Sequence, residues 1–457
     1  MTDLWKKPIT RRGLLAGAAA VGLGAAAAAC APPGTSSGGG GGGGNGNKEL
    51  RLLTWNHFIP EFDQWFDPWF HAWGAKNGIK TTVDHIAIQD LPARFAAEVA
   101  AHAGHDMIQM VGQVSTYLYE RDLADVSDVV DYAVSKLGPL DSASTKLGKV
   151  HGVWRAWPNF FIDQPLLMRT DLLQQVGVDP NSIKTWQDVM SAGQKLAKIG
   201  KPGGMAISHC NDSNHNMRSI MWSFGASEIG ADGKTITVDS PQMRDFLGFM
   251  QEFYHTALYP DVFAWQDVSD NQWLDSGNGG FIHDAISALN SVKGKVIGGV
   301  DIFANTRLYP PLTSSAHPNG IDMPDYCGFG IWNWSPNQGA AKQFLRYYID
   351  NYLLTFQQSR TYNSPPHFQL FDKGIYSDPS VGGQFLDTKF APLAMYKGDQ
   401  IATWGYPGPP TREANQVLAS YIIPDIVQQA VRGTDKKAID DAISFGVNQM
   451  KSVFGTL

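Results

Sequence analysis

Cysteine is scarce: the 457 residues hold three. That excludes a disulfide-built scaffold and a Cys-rich zinc module. Charge is thin as well, with 17% Asp, Glu, Lys and Arg and a net charge of -7. Without a basic excess, a general electrostatic grip on nucleic acid or anionic lipid is excluded. Catalytic signatures are missing too. There is no P-loop and no His-Glu-x-x-His zinc motif. Gly225-Ala226-Ser227-Glu228-Ile229 approaches a nucleophile elbow, but the second Gly falls one place late, at Gly230. The elbow needs that small residue for its sharp turn, so the match is rejected.

What is present can build a core. Hydrophobic residues make up 43%, and there are 14 Trp. Global disorder is therefore excluded. The length exceeds the roughly 250–300 residues at which one core stops growing, so two lobes are expected.

The first segment reads as an address. Lys6, Lys7, Arg11 and Arg12 precede an apolar run from Leu14 to Ala29, too short and Gly-rich for a membrane span. Thr10-Arg11-Arg12-Gly13-Leu14-Leu15 resembles a twin-arginine export motif. Ala28-Ala29-Cys30 looks like a lipoprotein cleavage site, with Ala27 where a Leu is usual. Residues 1–29 are thus an export signal, and 30–47 a lipidated Cys30 followed by a Gly-rich tether. A signal anchor with an incidental Cys is the alternative. Stable anchoring would need more than one acyl chain. Cys210 and Cys327 remain in the body, either as a disulfide or as two buried thiols.

The body alternates strands and helices. Leu50 to Trp55, Thr81 to Ile86 and Met107 to Met110 read as strands, with helices over Phe62–Trp73 and from an Asp90 cap to Gly104. Thr185-Trp186-Gln187-Asp188 is a capping box opening a helix, and Ser240-Pro241 and Ser335-Pro336 open two more. This order argues for α/β sheets. Trp186, Trp69 and Trp222 read as core. His102 and His105 read as a solvated helix end. Glu61, Asp63 and Asp67 read as a solvated face. His209, Cys210 and His215 are too loosely spaced for a metal centre and read as a polar loop. No metal and no cofactor are expected.

Taken in order, these segments resemble the extracellular solute-binding proteins of ABC importers, over about residues 48–450. The resemblance is carried by Leu50 to Asn56, Gly104-His105-Asp106-Met107, and Leu123-Ala124-Asp125. It continues in Leu166 to Leu173 with Val176-Gly177 and Thr185-Trp186, and in Asp239-Ser240-Pro241. Gly279-Gly280-Phe281-Ile282, Ala340 to Leu345 and Val431-Arg432-Gly433 complete it. Two places depart from the pattern. Met168-Arg169-Thr170 replaces Tyr-Asn-Lys, and Tyr326-Cys327-Gly328-Phe329 stands where Gly-Gly-Trp is familiar.

The resemblance implies a two-lobed periplasmic-binding-protein fold with a hinge and an interlobe cleft. The approximate lobes are 48–155 plus 295–345, and 156–294 plus 346–457. It implies a receptor, not an enzyme, that captures an extracytoplasmic solute, most readily a sugar or oligosaccharide, and delivers it to permease subunits. The expected state is an exported monomer held to the cell membrane by lipid. A polyamine or other cationic solute is the alternative cargo, and an exported hydrolase the third reading.

Sugars present C–H faces to aromatic rings and hydroxyls to amides and carboxylates. The expected ligand contacts are therefore loop residues of those types: Trp55, Asn56, His57, Gln113, Trp154, Trp157, Asn159, Asn271, Asp284, Trp404 and Tyr406. Core packing is the competing role for each Trp.

Overall fold

The computed structural model describes residues 49–112, 116–396 and 398–456. The export signal, the tether, Cys30 and Gln113 lie outside the described residues. Among the described residues, no helix is long and apolar enough to cross a membrane.

Strand β1 (Glu49–Trp55) leads into helix α1 (Pro60–Lys76). Phe62, Phe66, Phe70 and Trp73 recur on α1 at helical spacing and are buried. Strand β2 (Lys80–Ile86) follows, then helix α2 (Leu91–Ala101) and strand β3 (Met107–Met110). Asp90 makes no side-chain cap on α2. It closes a short 3-10 turn, Ile88–Asp90, that runs straight into the helix.

Helices α3 (Ser127–Leu137) and α4 (Ser142–Gly148) come next, α4 capped by the Asp141 carboxylate on the Ser144 amide. Strands β4 (Trp157–Ile162) and β5 (Leu166–Arg169) are separated by only three residues. Helix α5 (Trp186–Lys198) opens on the Thr185–Asp188 capping box expected from the sequence. Helix α6 (Asn211–Ser223) is buried along its whole length, and α7 (Pro241–Ala257) is capped by Ser240. Strands β6 (Phe281–His283), β7 (Thr306–Tyr309) and β8 (Asp325–Ile331), helix α8 (Gln338–Asp350) and helix α9 (Ile422–Val431) complete the frame.

Two sheets organise it. The first has the order β2-β1-β3-β8-β4, with β1 parallel to β2 and β3, and β8 antiparallel to β3 and β4. Pro158 is tolerated in β4 because β4 is an edge strand, beside a bulge at Cys327/Gly328. The second sheet is β7-β5-β6, antiparallel throughout.

The chain therefore passes between sheets at 163–165 and again over 310–324. The expected lobe division placed residues 156–162 with the second lobe and 306–309 with the first. Pairing of β4 with β8, and of β7 with β5, puts these strands in the opposite sheets. Hydrophobic alternation marks a strand but not its partner, so the composition could not assign them.

Other sequence-based expectations change as well. His105 is buried, not solvated: Glu98 and Asp84 bond its two ring nitrogens at 2.5 and 2.7 Å. Burial alone would raise Glu98, but His105, with Trp332 also donating, holds it down to about 2. Asp63 and Asp67 face His85 at 3.6 and 2.9 Å. Cys210 and Cys327 are both free, buried thiols.

Candidate functional site

The expected polar loop around His209 and His215 is the start of α6. Every residue of this helix is buried, and its side chains find partners far away in sequence. Asn211 Nδ2 donates to Asp325 Oδ2 at 2.5 Å, His215 Nδ1 lies 2.9 Å from the Met323 carbonyl, and Arg218 Nε donates to Glu228 at 2.7 Å. His209 stands outside, stacked on Tyr421 at 4.8 Å and paired with Asp425 at 2.7 Å. The second carboxylate oxygen of Asp325 accepts the Gly112 N–H at 3.0 Å. One carboxylate thus ties the loop after β3 to the start of α6. Gly112 has φ +67, and a Cβ there would come 3.0 Å from Asn211 Oδ1.

Along this seam lies a cavity of about 560 Å³. Its walls are α4 (Ser142, Lys146), the 316–320 loop with His317, and the 398–408 segment with Thr403 and Tyr406. The volume falls in the roughly 300–1,000 Å³ range of small-molecule sites. A narrower space of about 30 Å³ shares two of these walls, through Ser144 and Leu147 on α4 and through Trp404. Pro158, Tyr326 and Cys327 also line it.

Four buried hydrogen-bonding atoms in these walls lack a protein partner: Ser144 Oγ, Tyr326 OH, Thr403 Oγ1 and Trp404 Nε1. Such groups cost about 1–3 kcal/mol each when left unmade, so a concentration of them marks a surface that a polar guest completes. Burial, with Asp141, Asp163 and Asp322 nearby, drives the Tyr326 phenol well above its ordinary value, so it stays a neutral donor and acceptor.

Of the expected contacts, Trp404 and Tyr406 meet here. Tyr406 packs its ring 5.2 Å from Trp222. Trp157 lies beneath, fully buried, edge-on to Tyr348 and stacked on Phe329. Its Nε1 and both side-chain polar atoms of Asn159 are unpartnered. Trp154 is half-buried in the 149–154 hairpin, with Lys149 over its ring.

Trp55 and His57 sit at the end of β1 against Tyr362, at 6.4 and 5.0 Å, while Asn56 is exposed. Burial pulls His57 down to about 4. The neutral ring accepts the Ile59 N–H on Nδ1, which leaves Nε2–H to donate to Asn363 Oδ1 at 3.0 Å. Asn271 and Asp284 lie together elsewhere on the seam: with the Asn271 amide oriented for its surroundings, its nitrogen donates to Asp284 Oδ2 at 2.7 Å. Ser144, Thr403 and Tyr326 were not foreseen. The one signal was the unusual Tyr326-Cys327 where the resemblance suggested Gly-Gly.

The family model for bacterial extracellular solute-binding proteins matches residues 58–351. The chain belongs to this family. No curated protein matches it. Among solved structures, this solute-binding protein is similar to maltose-bound MalE3 of T. maritima, with TM-score 0.72 and 18% identity over 89% of this chain and 99% of that one. It is similar to a sugar transporter protein from Arthrobacter chlorophenolicus A6 with bound laminaribiose, at TM-score 0.74 and 16% identity, covering 89% and 99%. A solute-binding protein from Agrobacterium radiobacter K84 in complex with ribitol gives TM-score 0.69 and 16% identity, covering 88% and 99%. These likenesses establish a periplasmic-binding-protein fold.

Proposed function

We propose that this solute-binding protein is the receptor of an ABC importer and that its cargo is a sugar or short oligosaccharide. The observation that carries the reading is the seam cavity. Tyr406 and the unpartnered Thr403 hydroxyl line it, and the narrow space between the same α4 and 401–406 walls adds Trp404, Tyr326 and Ser144 with their unpartnered hydroxyl and indole N–H groups. A pyranose offers the matching surface: an apolar C–H face for the rings and hydroxyls that both donate and accept. The sugars bound by the similar structures support the same class.

In this reading one lobe is built on each sheet, and the passages at 163–165 and 310–324 act as hinges. Closure brings α4 toward the 401–406 segment and exchanges the solute's hydration for Ser144, Thr403, Tyr326 and Trp404. Trp157 and Asn159 support that wall from behind, and Trp154 and Asn56 are held for contacts at the rim. Trp55, His57, Asn271 and Asp284 belong to the wider seam. No bond is made or broken in the solute. Release is to permease subunits, with the body tethered through a lipidated Cys30 after twin-arginine export, as a monomer.

Calorimetric titration with maltose, laminaribiose, cellobiose and ribitol tests the reading. Saturable 1:1 binding of at least one, with the sugar recovered intact, is expected. Cleavage of a bound sugar, or silence across the panel beside binding of spermidine, would refute it.

A further inference from the structure

The narrow space beside the wide cavity has a chemistry of its own. At about 30 Å³ it has room for two water-sized groups, at roughly 10–15 Å³ each. A sugar ring does not fit, but a short side arm of a molecule seated in the wide cavity does. The two spaces are neighbours along the same segments. Ser142 and Lys146 of α4 line the wide one, Ser144 and Leu147 the narrow one. On the other wall, Thr403 lines the first and Trp404 the second.

The narrow lining is mostly apolar, with Met110, Leu147 and Pro158 supplying side-chain carbon. Three hydrogen-bonding atoms interrupt it: Ser144 Oγ, Tyr326 OH and Trp404 Nε1, each buried without a protein partner. Their residues are 0, 7 and 3% exposed. Asp141, the cap of α4, comes near Ser144 Oγ without completing a hydrogen bond. The indole can only donate, whereas the two hydroxyls donate or accept. Among the described residues, no Lys or Arg lines the space.

These constraints describe the guest. It has two heavy atoms, one a carbon for the apolar wall. The other is an uncharged oxygen that both accepts and donates. We infer that the narrow space takes the exocyclic hydroxymethyl arm of a hexopyranose, so that the cargo class is a hexose-built sugar and Ser144 and Tyr326 set that specificity. The methylene lies against Met110, Leu147 and Pro158. The hydroxyl oxygen accepts from Trp404 Nε1–H, and its proton is donated to Ser144 Oγ or Tyr326 OH. A pentose leaves all three groups buried and unpartnered, which is where sites built on hydrogen bonds discriminate most. A 6-deoxy sugar supplies the carbon alone. A uronate brings a third heavy atom and a charge with no cation to meet it.

This inference rests on the sugar-receptor reading, and matched sugars separate the two. Maltose, laminaribiose and cellobiose are titrated calorimetrically beside the xylobioses of the same linkages, which lack only the hydroxymethyl arms; ribitol is titrated alongside. The hexose member of a pair should bind at least tenfold tighter. Ser144→Ala and Tyr326→Phe should each cut that ratio at least threefold, and should keep or raise the thermal midpoint because each removes an unpartnered hydroxyl. Equal affinities within a pair, ratios that neither variant changes, or binding of ribitol alone would overturn the inference and leave the receptor standing. Silence of every sugar and of ribitol would overturn both.

Discussion

Trp404→Phe should weaken sugar binding without weakening the fold. Trp404 is only 3% exposed, and its Nε1 is buried without a partner. Truncation to Ala would leave a large hole costing about 3–5 kcal/mol, so loss of binding there would not separate a site role from a core role. Phe keeps the ring and removes the N–H. In the free protein two effects oppose: lost packing area, and relief of a donor whose burial costs about 1–3 kcal/mol. The net change in stability should stay within about 1 kcal/mol. In the complex, the variant loses one hydrogen bond and part of a stacking face, together about 1–2 kcal/mol, or about 5- to 30-fold in Kd. Calorimetry gives the Kd and urea denaturation the stability. Wild-type affinity in a folded variant would refute the reasoning. So would a loss of several kcal/mol in stability with affinity intact, which would make Trp404 a core residue.

Three further outcomes are expected, two from the structure and one from the sequence. Burial lifts Asp284 up to about 8, against the Ala285 N–H and with Asp267 adding to the rise. The folded state then binds the proton more tightly than the unfolded one, so the group's contribution is most favourable below about pH 4 and declines toward pH 8, by at most about 1.4 kcal/mol per pH unit. Asp284→Asn should flatten that decline in denaturation curves; an unchanged pH profile would refute the burial argument. Gly112→Ala should destabilise by about 1 kcal/mol or more, since φ +67 disfavours a side chain and the new methyl would press on Asn211; an unchanged denaturation midpoint would count against this geometry. Cys30→Ser should release the protein from membranes without shifting its thermal midpoint, and unchanged acyl labelling would remove the lipoprotein reading.

Local signals made much of the frame legible. The Thr185 capping box, the Ser240 cap and the aromatic stripe of α1 are encoded within a few residues of where they act. Helix α6 was not legible for the opposite reason. Its Asn, Asp, Ser and His residues have loop composition, and only distant partners such as Asp325, Glu228 and Met323 make them buried helix residues. Sheet membership of β4 and β7 is equally non-local. The candidate site divides in the same way. Trp404 and Tyr406 stood out as aromatics beside Gly and Pro, whereas Ser144 and Thr403 look like any loop or helix-start hydroxyl until the chain brings α4 and the 401–406 segment together. Trp157 has the same local signature as Trp404, yet it sits under the wall because β4 pairs with β8.

A sugar held between α4 and the 401–406 segment would lie against the Trp404 indole. The most direct measurement follows the indole N–H signals of ¹⁵N-labelled protein by NMR during titration with laminaribiose and with maltose, Trp404 being assigned by its loss in Trp404→Phe. The Trp404 indole signal should move saturably with at least one sugar, further than that of the deeply packed Trp186. A sugar that binds and shifts other indoles while leaving Trp404 in place would contradict it.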